Sequence, residues 1–241
     1  MLLRLDKFIS NQLNISRSDV RKAIFKGEVL VDGKPVLKPD TKIDTNICIV
    51  SLNGDNINYK EYVYIVLNKP KGIISASTDK TRETVVDLVP KHLSRRGLSP
   101  VGRLDRDTTG LLIITDDGEF AHRVISPKSN LVKRYNVLLD GEVDEGVVTA
   151  FKNGVTLHDG TKCLPAEIEV DKANKCKATV CIVEGKYHQI KRMFGVVGLG
   201  VVELHRSSIG PIVLDENLKS GECRELTSSE LDEIRKDYNN S

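Results

Sequence analysis

The sequence predicts an α+β chain in two unequal parts: a small basic helix–helix–sheet module, then a larger domain built on a mixed, mostly antiparallel β-sheet flanked by helices. Three observations carry this. The chain has 241 residues, enough for two unequal domains. Apolar residues recur at helical spacing near the start and in short strand-like runs beyond residue 60, with helices that do not alternate strictly with strands. Charge is also uneven: residues 1–50 hold nine Lys/Arg against six Asp/Glu, whereas the remainder holds 27 against 28.

The elements follow in order. Leu2, Leu5, Phe8, Ile9 and Leu13 lie on one helical face. Asn14 breaks that pattern, and Ser16 is a good N-cap for a second helix over 17–26, stopped by Gly27. Val20 and Ile24 form its inner face, while Arg17, Arg21, Lys22 and Lys26 spread around the outside. A strand at 29–31 turns at Asp32-Gly33 and returns over 34–37, and another strand is expected at 47–51. This module spans 1–52. The polar, Asn-rich stretch 53–60 reads as a linker, and 61–241 as the larger domain. There, strands are expected at 62–68, 73–77, 111–115, 134–140, 166–170 and 177–183. Helices are expected at 84–88, 119–124, 144–153, 187–197 and 228–237.

Several functional classes drop out. The longest apolar runs, 62–67 and 111–114, are too short to span a bilayer, and Arg4, Asp6 and Lys7 interrupt any signal-peptide core. Five cysteines with no CxxC spacing read as reduced thiols of a cytoplasmic protein, with no metal site. The basic module points to a polyanion partner, but with no Trp and 5% aromatic residues a broad base-stacking platform is not expected.

Two segments carry chemistry. In Val101-Gly102-Arg103-Leu104-Asp105-Arg106-Asp107-Thr108-Thr109-Gly110, polar and small residues crowd together just before a buried-looking strand, where a scaffold commonly holds reactive groups. Gly185-Lys186-Tyr187-His188-Gln189-Ile190-Lys191-Arg192-Met193-Phe194 opens a helix whose dipole disfavours the cations Lys191 and Arg192 near its start. A carboxylate facing them would offset that cost.

Together these segments resemble the pseudouridine synthases, specifically the RsuA-type family acting on ribosomal RNA. The resemblance covers nearly the whole chain. Residues 2–50 look like the small RNA-binding domain shared with a primary-binding ribosomal protein. Tyr64-Ile65-Val66-Leu67-Asn68-Lys69-Pro70-Lys71-Gly72 is similar to the family's first motif, and Gly102-Arg103-Leu104-Asp105 followed by Asp107-Thr108-Thr109-Gly110 and Thr115-Asp116-Asp117-Gly118 to its second. Lys133-Arg134-Tyr135 is similar to its tyrosine segment and 185–194 to its last.

The resemblance implies that uracil is detached from C1′ of a uridine, rotated and rejoined through C5, with no cofactor or metal. It assigns Asp105 as the catalytic carboxylate, acting either on the sugar carbon or on a sugar proton. Lys191 becomes its basic partner, where many relatives carry arginine. Tyr135 packs against the base and assists loss of the C5 proton. Arg103 fills the space left by an extruded base, and Lys69 supports the loop or contacts phosphate. The partner implied is small-subunit ribosomal RNA, read by a monomer whose Arg17, Arg21, Lys22 and Lys26 meet phosphate. Asp107, Asp116 and Asp117 read as turn and cap residues. Alternatives are a large-subunit enzyme of the same family, a non-catalytic assembly factor and a nucleosidase.

Overall fold

Residues 1–239 are described by the computed structural model, and their backbone divides into two units. Among the described residues, the first comprises 1–63 together with 90–98, the second 64–89 and 99–239.

The first unit runs β1 (Leu2–Arg4), α1 (Leu5–Leu13), α2 (Arg17–Phe25), β2 (Val29–Val31), β3 (Lys34–Pro35), β4 (Lys42–Asp44), β5 (Val50–Leu52) and β6 (Asp55–Ile57). Ser16 caps α2 by accepting from the Asp19 backbone N–H at 3.1 Å. Asp32 and Gly33 both take positive φ, as the tight turn between β2 and β3 requires. Leu5, Phe8, Ile9, Val20, Ile24, Val29, Ile43 and Val50 form the core of this unit.

Three local expectations are corrected here. Helix begins only at Leu5, because Leu2–Arg4 pairs with β4 instead of continuing the helical spacing. The strand expected at 47–51 starts at Val50, since Ile47 and Cys48 are held in a turn by the Asp44 carbonyl. The stretch read as a linker contains β6, which pairs with β5. Residues 90–98 join this unit through Arg95, whose Nη1 and Nη2 donate to the Lys60 and Glu61 carbonyls at 2.8 and 3.0 Å.

The second unit contains β7 (Tyr64–Lys69), β8 (Ser99–Pro100), β9 (Thr109–Thr115), α3 (Gly118–Ile125), β10 (Lys133–Leu139), α4 (Glu145–Asn153) and β11 (Glu167–Val170). It continues with β12 (Lys177–Ile182), α5 (Gln189–Val196), β13 (Val201–Ile209), β14 (Ile212–Val213), β15 (Cys223–Glu225) and α6 (Ser228–Asn239). Among the described residues these make a nine-stranded sheet whose main path is β11-β12-β10-β13-β9-β7-β15. Every pairing is antiparallel except β9 with β13, so the fold is α+β with a mixed, mostly antiparallel sheet. Leu111 to Ile114 are wholly buried, the continuous apolar run of a strand covered on both faces.

Two expected elements are absent. Residues 73–77 form only an isolated bridge, because Ser75 turns inward to bond the Leu104 backbone. Residues 84–88 form turns: Asp87 accepts from both the Thr84 backbone N–H and its hydroxyl, and the β-branched Thr84, Val85 and Val86 favour helix poorly. β13 is not among the expected strands, yet it forms the parallel seam of the sheet.

At that seam Gly110 lies opposite Arg206 with φ of +102°, and a Cβ there would meet the Arg206 carbonyl oxygen at 2.3 Å. Gly110→Ala is therefore expected to lose about 3 kcal/mol or more of stability, read as a fall in the unfolding midpoint. A neutral substitution would mean that the two strands separate freely.

Candidate active site

The Val101–Thr108 loop that precedes β9 is fixed from below by the chain that leaves β7. The Ser75 hydroxyl donates to the Leu104 carbonyl at 2.8 Å and accepts from its N–H at 3.0 Å. Gly72 donates its N–H to the Arg106 carbonyl at 2.7 Å, and Arg106 Nε returns a bond to the Gly72 carbonyl at 3.0 Å. Beneath them Lys69 is fully buried, and its Nζ donates to the carbonyls of Pro70, Thr108 and Arg106 at 3.0, 2.9 and 3.4 Å. Burial pushes this ammonium down to about 8. Lys69 thus has no exposed surface, and its ammonium donates to three carbonyls of the loop and its approach.

With its backbone clamped, the loop projects Arg103, Asp105 and Asp107 outward while Leu104 points into the core. Their counterpart is the first turn of α5. Gln189 is buried, accepts from the Lys186 N–H at 2.9 Å and donates to Glu184 at 2.7 Å, which fixes the approach to the helix. His188 adopts a left-handed backbone at the N-cap and stacks on Tyr187 with ring centroids 3.8 Å apart.

The two segments meet at Asp105. Lys191 Nζ lies 3.0 Å from Asp105 Oδ2 and 2.5 Å from Asp107 Oδ1, and His188 Nε2 lies 3.2 Å from Asp105 Oδ1. Burial alone would depress the Lys191 ammonium, but its bonds to Asp107 and Asp105 outweigh this and hold its pKa above the ordinary 10.5. Asp107 is pulled below its ordinary 3.8, chiefly by the hydrogen bond from Lys191. Asp107 is thus not merely a turn residue. Asp117 does cap α3, accepting from the Phe120 N–H at 3.0 Å.

Arg103, Asp105, Thr108, Tyr135, His188 and Gln189 line one cavity of 80 Å³. Tyr135 comes from β10, is 8% exposed, and its hydroxyl accepts from Arg206 Nη1 at 3.4 Å. Arg103 is exposed and forms no hydrogen bond or ion pair among the described residues. The geometry therefore gathers Asp105, Tyr135, Lys191 and Arg103 and leaves out Lys69. Asp107 and Arg206 are not among the site residues read from the sequence. Arg206 gives no signal in the sequence, because β13 is too polar to be expected as a strand and the inward position shows only in the fold.

The four N-terminal cations stand in the first unit. Arg21 reaches Asp6, a carboxylate with no exposure, at 3.3 Å and shares it with Arg4. Lys22 pairs with Asp19 at 3.1 Å and Lys26 lies 3.8 Å from Glu28. Arg17 is exposed with no ion pair among the described residues.

A family model described as RNA pseudouridylate synthase matches residues 63–195, and an S4 domain model matches residues 3–46. The chain belongs to the RNA pseudouridylate synthase family. It is an isomerase acting on RNA. It is 40% identical to the ribosomal small subunit pseudouridine synthase A of Salmonella typhimurium over 95% of this chain and 98% of that one. It is equally identical to an uncharacterized RNA pseudouridine synthase of Bacillus subtilis, over 95% of this chain and 97% of that one. A crystal structure of a pseudouridylate synthase superposes with a TM-score of 0.67 at 37% identity, covering 96% of this chain and 99% of the other. Among the described residues no helix is long and apolar enough to cross a membrane.

The raised pKa of Lys191 means that its favourable contacts are complete below 10.5 and fade only as pH climbs through the higher folded value. The lowered pKa of Asp107 means that its share is complete above 3.8 and fades as pH falls through the lower folded value. Lys191→Met is therefore expected to be less stable by about 1–3 kcal/mol throughout the range from about pH 5 to 10 in which both contacts are complete. Denaturant unfolding across that range checks it, and equal stability of the two proteins would contradict the pairing.

Proposed function

We propose that this synthase isomerises one uridine of small-subunit ribosomal RNA in the cytoplasm, acting as a monomer. Asp105 is the working carboxylate, Lys191 its cationic partner, Tyr135 the residue packed against the base and Arg103 the filler of the gap in the RNA. The observation that carries the reading is the 3.0 Å contact of Lys191 with Asp105, beside a cavity whose walls include Tyr135 and Arg103.

The chemistry balances without an outside reagent. The C1′–N1 bond breaks with its electron pair on uracil, while Asp105 acts on the sugar. An electron-poor sugar beside a carboxylate is also the logic of glycoside cleavage. Uracil rotates, C5 bonds to C1′ as that carbon releases any bond to Asp105, and the Tyr135 hydroxyl takes the C5 proton while handing its own on to solvent. The freed pair restores the C5=C6 bond, and N1 takes a proton. Lys191 supplies the positive charge that a carboxylate needs when a nucleotide excludes water from it. A uridine inside a stack exposes no route to C1′, so it must be extruded at a cost of about a few kcal/mol. The guanidinium of Arg103, unengaged among the described residues, suits the vacated space.

The likeness along nearly the whole chain to a small-subunit enzyme supports the choice of RNA. The S4 match and the exposed Arg17, Lys22 and Lys26 support phosphate contact by the first unit, the part of binding that weakens steeply with salt. Arg21 takes a smaller share, since it also neutralises Asp6.

Incubation with precursor 30S RNA and mapping of pseudouridine tests the function: a single modified site is expected. Released uracil would indicate a nucleosidase, and binding without modification an assembly factor. Lys191→Met should stay folded yet lose about 10²-fold or more in single-turnover rate; near-normal turnover would remove Lys191 from the mechanism. Arg103→Ala should weaken binding of structured RNA more than of a flexible strand, measured as paired dissociation constants. Equal losses on both would contradict gap filling.

A further inference from the structure

β13 runs between the strand that carries Tyr135 and the strand that leaves the Asp105 loop. Arg206 stands at the crossing, opposite Tyr135 on β10 and opposite Gly110 on β9. It is 5% exposed. Its Nε donates to the Leu111 carbonyl at 2.7 Å, its Nη1 to the Tyr135 hydroxyl at 3.4 Å, and its Cζ lies 5.9 Å from the Tyr135 ring centroid. Nη2 is buried and finds no hydrogen-bond partner among the described residues, and no carboxylate there pairs with the guanidinium. Its charge is felt nearby: Lys133, on the same face of β10, is pushed down to about 8 by burial and then by Arg206.

A guanidinium buried without an acid is costly, and packing alone would be served by an apolar side chain. We infer that Arg206 is a positioning residue for Tyr135, tying its phenol oxygen to the β9 backbone so that the hydroxyl faces the C5 proton of the rotated base. One lone pair of the oxygen is engaged by Nη1, and the guanidinium lies against the ring, so the orientation of the other lone pair is fixed. The Leu111 carbonyl anchors the same guanidinium to the strand that emerges from the Asp105 loop. Arg206 thereby sets the distance between the residue that acts on the sugar and the one that acts on the base. At 3.4 Å the bond to Tyr135 is long, as catalytic contacts commonly are before substrate tightens them. This inference rests on the reading of Tyr135 as acceptor of the C5 proton.

A double-mutant cycle of Tyr135→Phe and Arg206→Lys tests it, with target RNA carrying hydrogen or deuterium at C5 of uridine. Arg206→Lys keeps the charge but loses the fork that reaches both partners, and melting temperature is recorded beside the rates. Arg206→Lys alone is expected to slow isomerisation about ten- to hundred-fold through misplacement. It should also introduce a C5 isotope effect, and add nothing to Tyr135→Phe. Equal slowing in both backgrounds with no isotope effect would overturn the inference and leave Arg206 a structural residue. Normal turnover by Tyr135→Phe would instead sink the reading of Tyr135, and the inference with it. Should the lysine variant not fold, Arg206→Gln, which keeps an amide donor, replaces it in the cycle, and the same pair of outcomes supports or overturns the role.

Discussion

One ammonium shared by two carboxylates organises this enzyme. Asp105 and Asp107 stand two positions apart on one loop and would repel each other, while Lys191 sits in the first turn of a helix whose dipole disfavours a cation. Each arrangement is unfavourable alone. Brought together, at 3.0 and 2.5 Å, the three charges cancel both costs. The division of labour is unequal. Asp107 takes the shorter bond and is the more exposed partner, whereas Asp105 keeps His188 on its other oxygen and lies on the cavity wall. The lysine is anchored by one acid and can serve the other.

Such an arrangement works only if neither side moves, and the surrounding chemistry is devoted to that. The loop is held through its backbone, by Ser75, Gly72 and the three carbonyl bonds of Lys69, so its acidic side chains stay free for the site. The helix side is held by Gln189, a buried amide whose oxygen and nitrogen are both engaged. Fixed dipoles and charges of this kind need no reorganisation when the substrate changes its charge, which is where an enzyme of this type gains most.

Local signals are readable in the sequence. The Ser16 cap, the Asp32-Gly33 turn and the Leu111–Ile114 run each act within a few residues, and each appears where its chemistry places it. What escapes a reading of the sequence depends on partners far along the chain. Leu2–Arg4 has helical spacing but is drawn into pairing by Lys42–Asp44. β13 contains Glu203, His205, Arg206, Ser207 and Ser208, too polar to read as a strand, and acquires its form from neighbours on both sides. The burial of Lys69 is equally invisible, because only the folded loop supplies the carbonyls that accept its protons. The meeting of Asp105 with Lys191 is legible through motif resemblance and not through spacing, since no short-range rule joins two such distant segments.

The excursion of residues 90–98 bears on how the molecule can be taken apart. The chain leaves the larger unit after Val89, contributes Arg95 to the carbonyls of Lys60 and Glu61, and returns at Ser99. A protease nick near residue 63 would not release two self-sufficient pieces, because the amino-terminal fragment would lack the guanidinium that closes its own last turn. Permutation or fusion at that boundary meets the same obstacle. Swapping the smaller unit for a foreign equivalent would therefore require exchanging two separate stretches of gene.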